Sequence, residues 1–521
     1  MSAGLTTAPA AAAARVRPRV PFGSVAAVAV AALTLVPLGF VLVASAGAGP
    51  AEAGALLFRA RVGELLLNTV GLVLATTTAC AVVGTAAAWV VVRTAVPGRP
   101  VWLALLAAPL AVPAFVNSYA WVSLTPAVEG FAGAVLITTL SYYPFVALPV
   151  AAVLRGLDPV HEESARALGL GPVAAVRRAV LPLLRPAVLG GALLVGLHLL
   201  AEFGALQMLR FPTFTTAIYD AYEATFAGPA ATLLAAVLVL LCLVLLVGEL
   251  RLAGRARLAR VGSGAARLRP PRPLGRATPL ALAGLAALVV LALGVPLGVL
   301  GRWLVEGSST AFPLVELGAA TLTTLGLAAG CAVLTTLLAL PVAWVAVRRR
   351  GRLIRIVERS SFIGSSLPGI VVALALVTVA VRGLPVIYQT TALLLVAYAI
   401  LFLPRTMVAL RAALAQVPPE LDDAARSLGV RPAGVLARVT LPLVARGLGA
   451  GSALVFLAVV TELTATLLLA PIGTDTLATE FWGHADAVAY GAAAPYAALM
   501  VLLSAPAAYL LTRRGIPEAV S

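Results

Sequence analysis

Lysine occurs nowhere in these 521 residues, so all 37 basic side chains are arginine. A Walker-type phosphate loop needs a lysine after its glycines to reach the nucleotide phosphates. ATP hydrolysis on this chain is thereby excluded and belongs, if it is needed, to a partner. Charge of either sign is scarce, 11% of residues against 61% hydrophobic, and these proportions lie far outside those of a soluble domain. Acids number only 21, which leaves a formal charge of +16. That excess would suggest nucleic acid in a soluble protein. Between apolar spans it marks topology instead, and no nucleic-acid partner is expected. The three cysteines, Cys80, Cys242 and Cys331, all sit in apolar stretches and imply neither a disulfide framework nor a metal cluster. The three histidines, His161, His198 and His484, are too scattered to nominate a site. With no hydrolytic triad and no metal-ligand spacing, no catalytic residue, cofactor or bound metal is expected on this chain.

What the chain does contain is a series of apolar runs. At about 20 residues per crossing, they predict spans near 22–46, 65–92, 101–123, 131–154, 187–205, 230–248, 279–301, 318–347, 360–381, 386–409, 448–470 and 489–512. The expected fold is an all-α polytopic membrane protein of about twelve transmembrane helices in two tandem six-helix repeats. Arginines cluster at Arg15, Arg17 and Arg19, at Arg93 and Arg99, from Arg155 to Arg185, at 251–276, 348–355 and 405–446, and at Arg513 and Arg514. Every second loop is therefore basic, which places both termini in the cytoplasm. The opposite loops carry Glu52, Glu129, Asp220, Glu223, Glu306, Asp475 and Glu480. Ala44-Ser45-Ala46 resembles a signal-peptidase site, but the apolar run before it is too long for a signal peptide and is expected to stay.

The halves superimpose by a constant offset. Ala88-Trp89-Val90 and Pro113 match Ala343-Trp344-Val345 and Pro368 on adding 255. Gly169, Pro172, Arg178, Glu202 and Thr216 match Gly429, Pro432, Arg438, Glu462 and Thr476 on adding 260. The expected organisation is a first repeat over 1–248, a cytoplasmic linker over 249–277 and a second repeat over 278–521. Parallel repeats of this kind imply a pseudo-twofold axis along the membrane normal with a pathway between the halves. The arginines and Pro270, Pro271 and Pro273 of the linker suit a solvated tether near anionic lipid headgroups.

Two polar islands, 158–183 and 418–443, interrupt the apolar pattern. In the first, Asp158 can cap a helix that Pro159 opens, with Glu162 and Glu163 in the early turns where the helix dipole favours anions. Gly169 fits the stop and Pro172 a restart. In the second, Pro418-Pro419-Glu420 opens, Asp422 and Asp423 supply the charge, Gly429 stops and Pro432 restarts. Leu181-Pro182 and Leu441-Pro442 then turn the chain back into a span.

Glu163-Ser164-Ala165, Gly169 and Leu181-Pro182, repeated as Asp423-Ala424-Ala425, Gly429 and Leu441-Pro442, resemble the EAA motif of ABC importer permeases. Ser164 stands for the first alanine, Asp423 for glutamate and Ala179 for the usual isoleucine. The resemblance spans nearly the whole chain, as a fused double permease of the type I importer fold. It implies that each loop forms a coupling helix docking on a cytoplasmic ATPase subunit, two copies in all, with ATP and magnesium bound there. The residues implied are Glu162, Glu163, Ala165, Gly169, Leu181 and Pro182, and Asp422, Asp423, Ala425, Gly429, Leu441 and Pro442. It also implies residence in a bacterial cytoplasmic membrane. A twelve-span secondary transporter is the competing class; it predicts charged pairs at mid-span and no repeated cytoplasmic clamp.

Glu202 and Glu462 fall about 25 Å along the spans behind the coupling loops, near their outer ends. Acids there are costly unless paired or wet, which makes them candidates for the translocation path. Asn68, Asn117, Tyr142 and Tyr143 read as helix-to-helix hydrogen-bonding groups. The segments after the two acids, from Leu209 to Tyr219 and from Thr461 to Thr479, resemble those of double-repeat ferric-iron permeases of the Fbp or Sfu type. That implies uptake of iron(III) from a periplasmic or lipid-anchored binding protein, which would carry the hard oxygen ligands that iron(III) prefers. Double permeases for thiamine or phosphonates share the architecture.

Overall fold

The computed structural model describes residues 22–224, 228–252, 271–307, 312–349 and 351–514. Arg15, Arg17, Arg19, Arg350, linker positions 253–270 and the last seven residues lie outside them. Within the described residues, nine helices are long and apolar enough to cross a membrane, or ten with one bent pair. Shorter apolar helices, Gly369–Gly383 and Tyr490–Pro506, supplement them. All twelve expected spans overlap helix, but those at 101–123 and 360–381 are broken and those at 187–205 and 448–470 end early.

The breaks have a common cause. The span expected at 101–123 is split into Arg99–Ala111 and Ala114–Leu124, bent by 89°. Pro113 has no N–H and forces Val112 into an extended conformation, so the second piece must start afresh at Ala114. In the second half Pro368 does the same between Arg352–Ile363 and Gly369–Gly383. The match of Pro113 with Pro368 was therefore a shared break and not a shared position in a continuous span.

The spans expected at 187–205 and 448–470 also differ. The first is part of a helix from Pro172 to Ala201, and the second of one from Leu436 to Val460. Leu181-Pro182 does not redirect the chain: it lies inside continuous helix. Because Pro182 cannot donate to the carbonyl of Arg178, the preceding turn, Val176–Val180, widens to π geometry. Leu436–Thr440 widens identically ahead of Leu441-Pro442.

Packing follows the rules of the bilayer, where small residues let helices touch. A Cβ on Gly191 would come within 2.7 Å of the Phe145 carbonyl, and one on Gly451 within 3.0 Å of the Thr406 backbone. In each half, the helix after the coupling loop is thereby pressed against the helix before it. The halves also interlock. Ala27, Val30 and Ala31 of the first helix, Phe22–Gly47, share a core with Ala339, Val342 and Met407 of the second half. Leu285 and Ala292, from the opening helix of the second half, join the first-half core around Tyr143 and Val146.

Candidate functional site

Two long helices, Ala60–Arg93 and Leu314–Arg348, are 34 and 35 residues, roughly 50 Å each at 1.5 Å per residue. They outrun the hydrocarbon core of about 30 Å, and their basic ends reach the coupling loops. The helix expected in the first coupling loop is Val160–Ala167, and that in the second is Pro419–Ser427. The Asp158 carboxylate accepts from the Val160 N–H at 3.0 Å. At the other end, Gly169 takes φ +87° and Gly429 +81°, the left-handed conformation that glycine adopts without a Cβ clash. Leu170 then donates to the Ala165 carbonyl and Gly169 to that of Arg166, and Val430 and Gly429 repeat both bonds on Ala425 and Arg426. Both helices thus end in a Schellman motif.

The acids divide by role. Glu162 is 1% exposed and takes Arg93 at 2.6 Å on one oxygen and Arg272 on the other. Asp422 is 3% exposed and pairs with Arg348 at 3.2 Å, while the Thr440 hydroxyl donates to it at 3.2 Å from the π turn. The motif acids Glu163 and Asp423 are instead exposed. Among the described residues Asp423 pairs within its own helix, with Arg426. Ala165 and Ala425 are buried beneath the helices. Leu168 and Leu428 are each 84% exposed, bare apolar side chains one residue before the stop glycines. Beside the first, Glu163, Arg166, Gly169, Leu170, Gly171 and Pro172 line a shallow cavity of about 460 Å³. Leu181 and Pro182 are exposed further along the same segment.

Arg93, Arg348 and Arg272 were not singled out from the sequence as parts of the loops, and Leu168 and Leu428, though within the repeated segments, were not among the implied site residues. The offsets pair Arg93 with Arg348 and Leu168 with Leu428, and that signal was available. Arg272 was not findable in this way, since the linker has no twin. Its backbone N–H donates to the Arg93 carbonyl at 3.0 Å and its carbonyl accepts from the Ala95 N–H at 2.8 Å, so this end of the linker is stitched to the basic end of the first long helix.

Glu202 and Glu462 lie where long helices end and short helices, Gly204–Met208 and Thr464–Leu469, begin. Each carboxylate accepts the N–H three residues on, from Ala205 and Ala465, both at 2.9 Å. Tyr142 donates its hydroxyl to the second oxygen of Glu202. The two short segments touch, with Leu463 packed on Gly204, where an added Cβ would be 2.9 Å away. Gly369, beside the Pro368 break, lies against Glu462. The breaks and the two acids therefore occupy one central region between the halves. His198 packs its ring 4.5 Å from Phe145. Asn117 donates to Ser141 between helices, whereas Asn68 donates to the carbonyl of Pro212 in a loop.

Two expectations need correction. Thr216 and Thr476 are not structural twins: Thr213 and Thr476 cap their helices, and the next N–H in each case donates to Thr69 or Thr324. The true offset there is 263, because the second half has three more residues between its acid and its cap. Arg405, taken as the start of a cytoplasmic cluster, lies instead inside Thr391–Ala415, ten residues from its end. The position also lay within the span expected at 386–409, and the helix runs on past that boundary to Ala415.

A family model described as "Binding-protein-dependent transport system inner membrane component" matches twice, at residues 81–257 and 336–513. The Fe(3+)-transport system permease protein FbpB 2 of Haemophilus influenzae is 36% identical over 480 residues, 92% of this chain and 95% of that protein. The sulfate transport system permease protein CysW of Synechocystis is 32% identical over 181 residues, 30% of this chain and 64% of its own. The molybdenum transport system permease protein ModB of Mycobacterium tuberculosis is 34% identical over 154 residues, 27% of this chain and 58% of its own.

Proposed function

We propose, from the premise that this chain belongs to the family of binding-protein-dependent transport inner-membrane components and so is an ABC importer permease and not an enzyme, that it carries iron(III) across a bacterial cytoplasmic membrane. The observation that carries the mechanism is the pair of coupling helices built alike in one chain, each pinned by a buried acid to the basic end of a long helix. Two copies of an ATPase subunit dock there, one on each helix, through Leu168 and Leu428 and the exposed faces of Glu163 and Asp423. The repeats are 1–248 and 278–521, joined by the linker 249–277, with both termini on the ATPase side. Iron is favoured over other solutes by the likeness to the ferric permease, which runs the length of both chains.

ATP binding closes the two ATPase subunits on each other and moves the coupling helices with them. Each helix is continuous through its Schellman stop, short restart and π turn with the span that ends at Glu202 or Glu462. The motion is delivered to the central region where broken helices meet, and access to the path alternates. A periplasmic or lipid-anchored binding protein supplies the solute.

The test is reconstitution of the full chain in liposomes with its ATPase and binding protein. ATP-dependent uptake of labelled iron(III), unaffected by excess thiamine, sulfate or molybdate, is expected. Uptake of one of those solutes in place of iron overturns the substrate, and uptake without any ATPase overturns the importer mechanism.

A further inference from the structure

Tyr142 ends the helix Phe131–Tyr142 and meets two groups of the span behind the first coupling loop. Its hydroxyl donates to the Glu202 carboxylate, and its ring lies 5.7 Å from that of His198. His198 is itself held: Nδ1 is 2.8 Å from the Leu194 carbonyl, and the ring packs 4.5 Å from Phe145. A carbonyl can only accept, so Nδ1 carries the proton and Nε2 keeps its lone pair. The other Glu202 oxygen takes the Ala205 N–H at 2.9 Å. Tyr142 is buried, whereas His198 and Glu202 are partly exposed. The second half repeats this frame without these groups. Pro144 and Pro404 correspond at the offset of 260, and the contact of Gly191 with Val146 returns as that of Gly451 with Thr406. In that register Phe402 replaces Tyr142 and Ala458 replaces His198, and only the acid is kept, as Glu462. The shared helix frame therefore needs neither the hydroxyl nor the imidazole.

Phenol, carboxylate and imidazole together make a metal-ligand set. A ligating histidine donates its second ring N–H to a carbonyl or carboxylate, as His198 does to Leu194. Two of the three donors are oxygens, which suits a hard cation such as iron(III). Among the described residues no three His, Cys, Asp or Glu side chains gather to hold a metal, so a site with three protein donors has to draw on another type, here tyrosine. We propose that Tyr142, Glu202 and His198 form a transient iron(III) site in the first half of the path. The proposal rests on the iron reading above. The metal displaces the Tyr142 hydroxyl proton, which leaves to water, and takes the phenolate, a Glu202 oxygen and His198 Nε2. Water or a small anion completes its shell, and it stays ferric throughout. The second half, with Phe402 and Ala458, offers no such set and serves as an internal control.

The full chain, purified with its ATPase, is titrated with ferric nitrilotriacetate and read by visible absorption. A phenolate-to-iron(III) charge-transfer band is expected, and Tyr142→Phe, which installs the residue of the second half, is expected to abolish it. His198→Ala and Glu202→Gln are expected to weaken iron binding about tenfold or more, at least the loss seen when a group that orients a metal ligand is removed. In liposomes with the ATPase and binding protein, Tyr142→Phe is expected to slow ATP-dependent iron uptake by a similar factor. No band from a wild type that still takes up iron overturns the site and leaves the iron reading standing. A band that survives Tyr142→Phe places the phenolate on another tyrosine and overturns the site as well. No ATP-dependent iron uptake by the wild type overturns the iron reading and the site together. If a variant fails to assemble, the presence or absence of the wild-type band decides.

Discussion

Arg348 and Asp422 form a buried ion pair at 3.2 Å that joins the basic end of a long membrane helix to the second coupling helix. Arg348 also donates to the Val417 carbonyl at 3.1 Å and stacks over Trp344, so the helix end is tied to the loop at two points. The buried pair anchors the loop, and the neighbouring motif acid, Asp423, is exposed.

Asp422→Ala leaves the Arg348 charge buried without its partner, a change that costs about 3–5 kcal/mol in comparable sites. Asp423→Ala removes an exposed i,i+3 pair with Arg426, worth about 1 kcal/mol at most. Thermal unfolding of the solubilised chain should therefore separate adjacent acids. Equal losses would show that burial does not distinguish them.

Leu168 and Leu428 contribute little to the fold, being almost wholly exposed. Replacing both with alanine is expected to leave the melting temperature within a degree or so of wild type and to weaken ATPase capture about tenfold or more, as loss of an apolar interface anchor does. Full-strength capture by the double variant would place the docking face elsewhere.

Gly169→Val and Gly429→Val put a β-branched residue at a positive φ, at roughly 1–2 kcal/mol each. Loss of the Schellman bonds should loosen the link from coupling helix to span. The expected phenotype is inserted protein with weakened ATPase assembly and little ATP-coupled uptake, read by pull-down and by transport. Undiminished assembly and uptake would remove the coupling role from these loops.

Glu202→Gln and Glu462→Gln keep an oxygen to accept from Ala205 and Ala465 but remove the charge. If the acids only cap short helices, transport survives. A fall in uptake of roughly tenfold or more, with assembly and stability retained, is expected for groups facing the path.

The coupling loops were legible because their geometry is local. An acid, a glycine needing positive φ and a proline at fixed spacing dictate capped helix, stop and restart wherever they occur, and two copies in register exposed the repeat. The twelve apolar runs were legible for the same reason. Their breaks were not: Pro113 and Pro368 are tolerated within some helices, as Pro37 is in Phe22–Gly47, so proline alone does not say whether a span bends or snaps. Nor does an apolar run say where it ends, and the helix expected to stop at 409 continues to Ala415.

Membrane class, the repeated loops and the exclusion of ATP chemistry followed from the sequence by itself, because composition and short-range spacing suffice for each. Only the tertiary structure decided which acid of each loop is buried, that the opening helix of each half packs on the other, and that the helix breaks at Glu202 and Glu462 meet in one region. Those facts depend on contacts between residues hundreds of positions apart, where burial and charge are set by neighbours that no local pattern names.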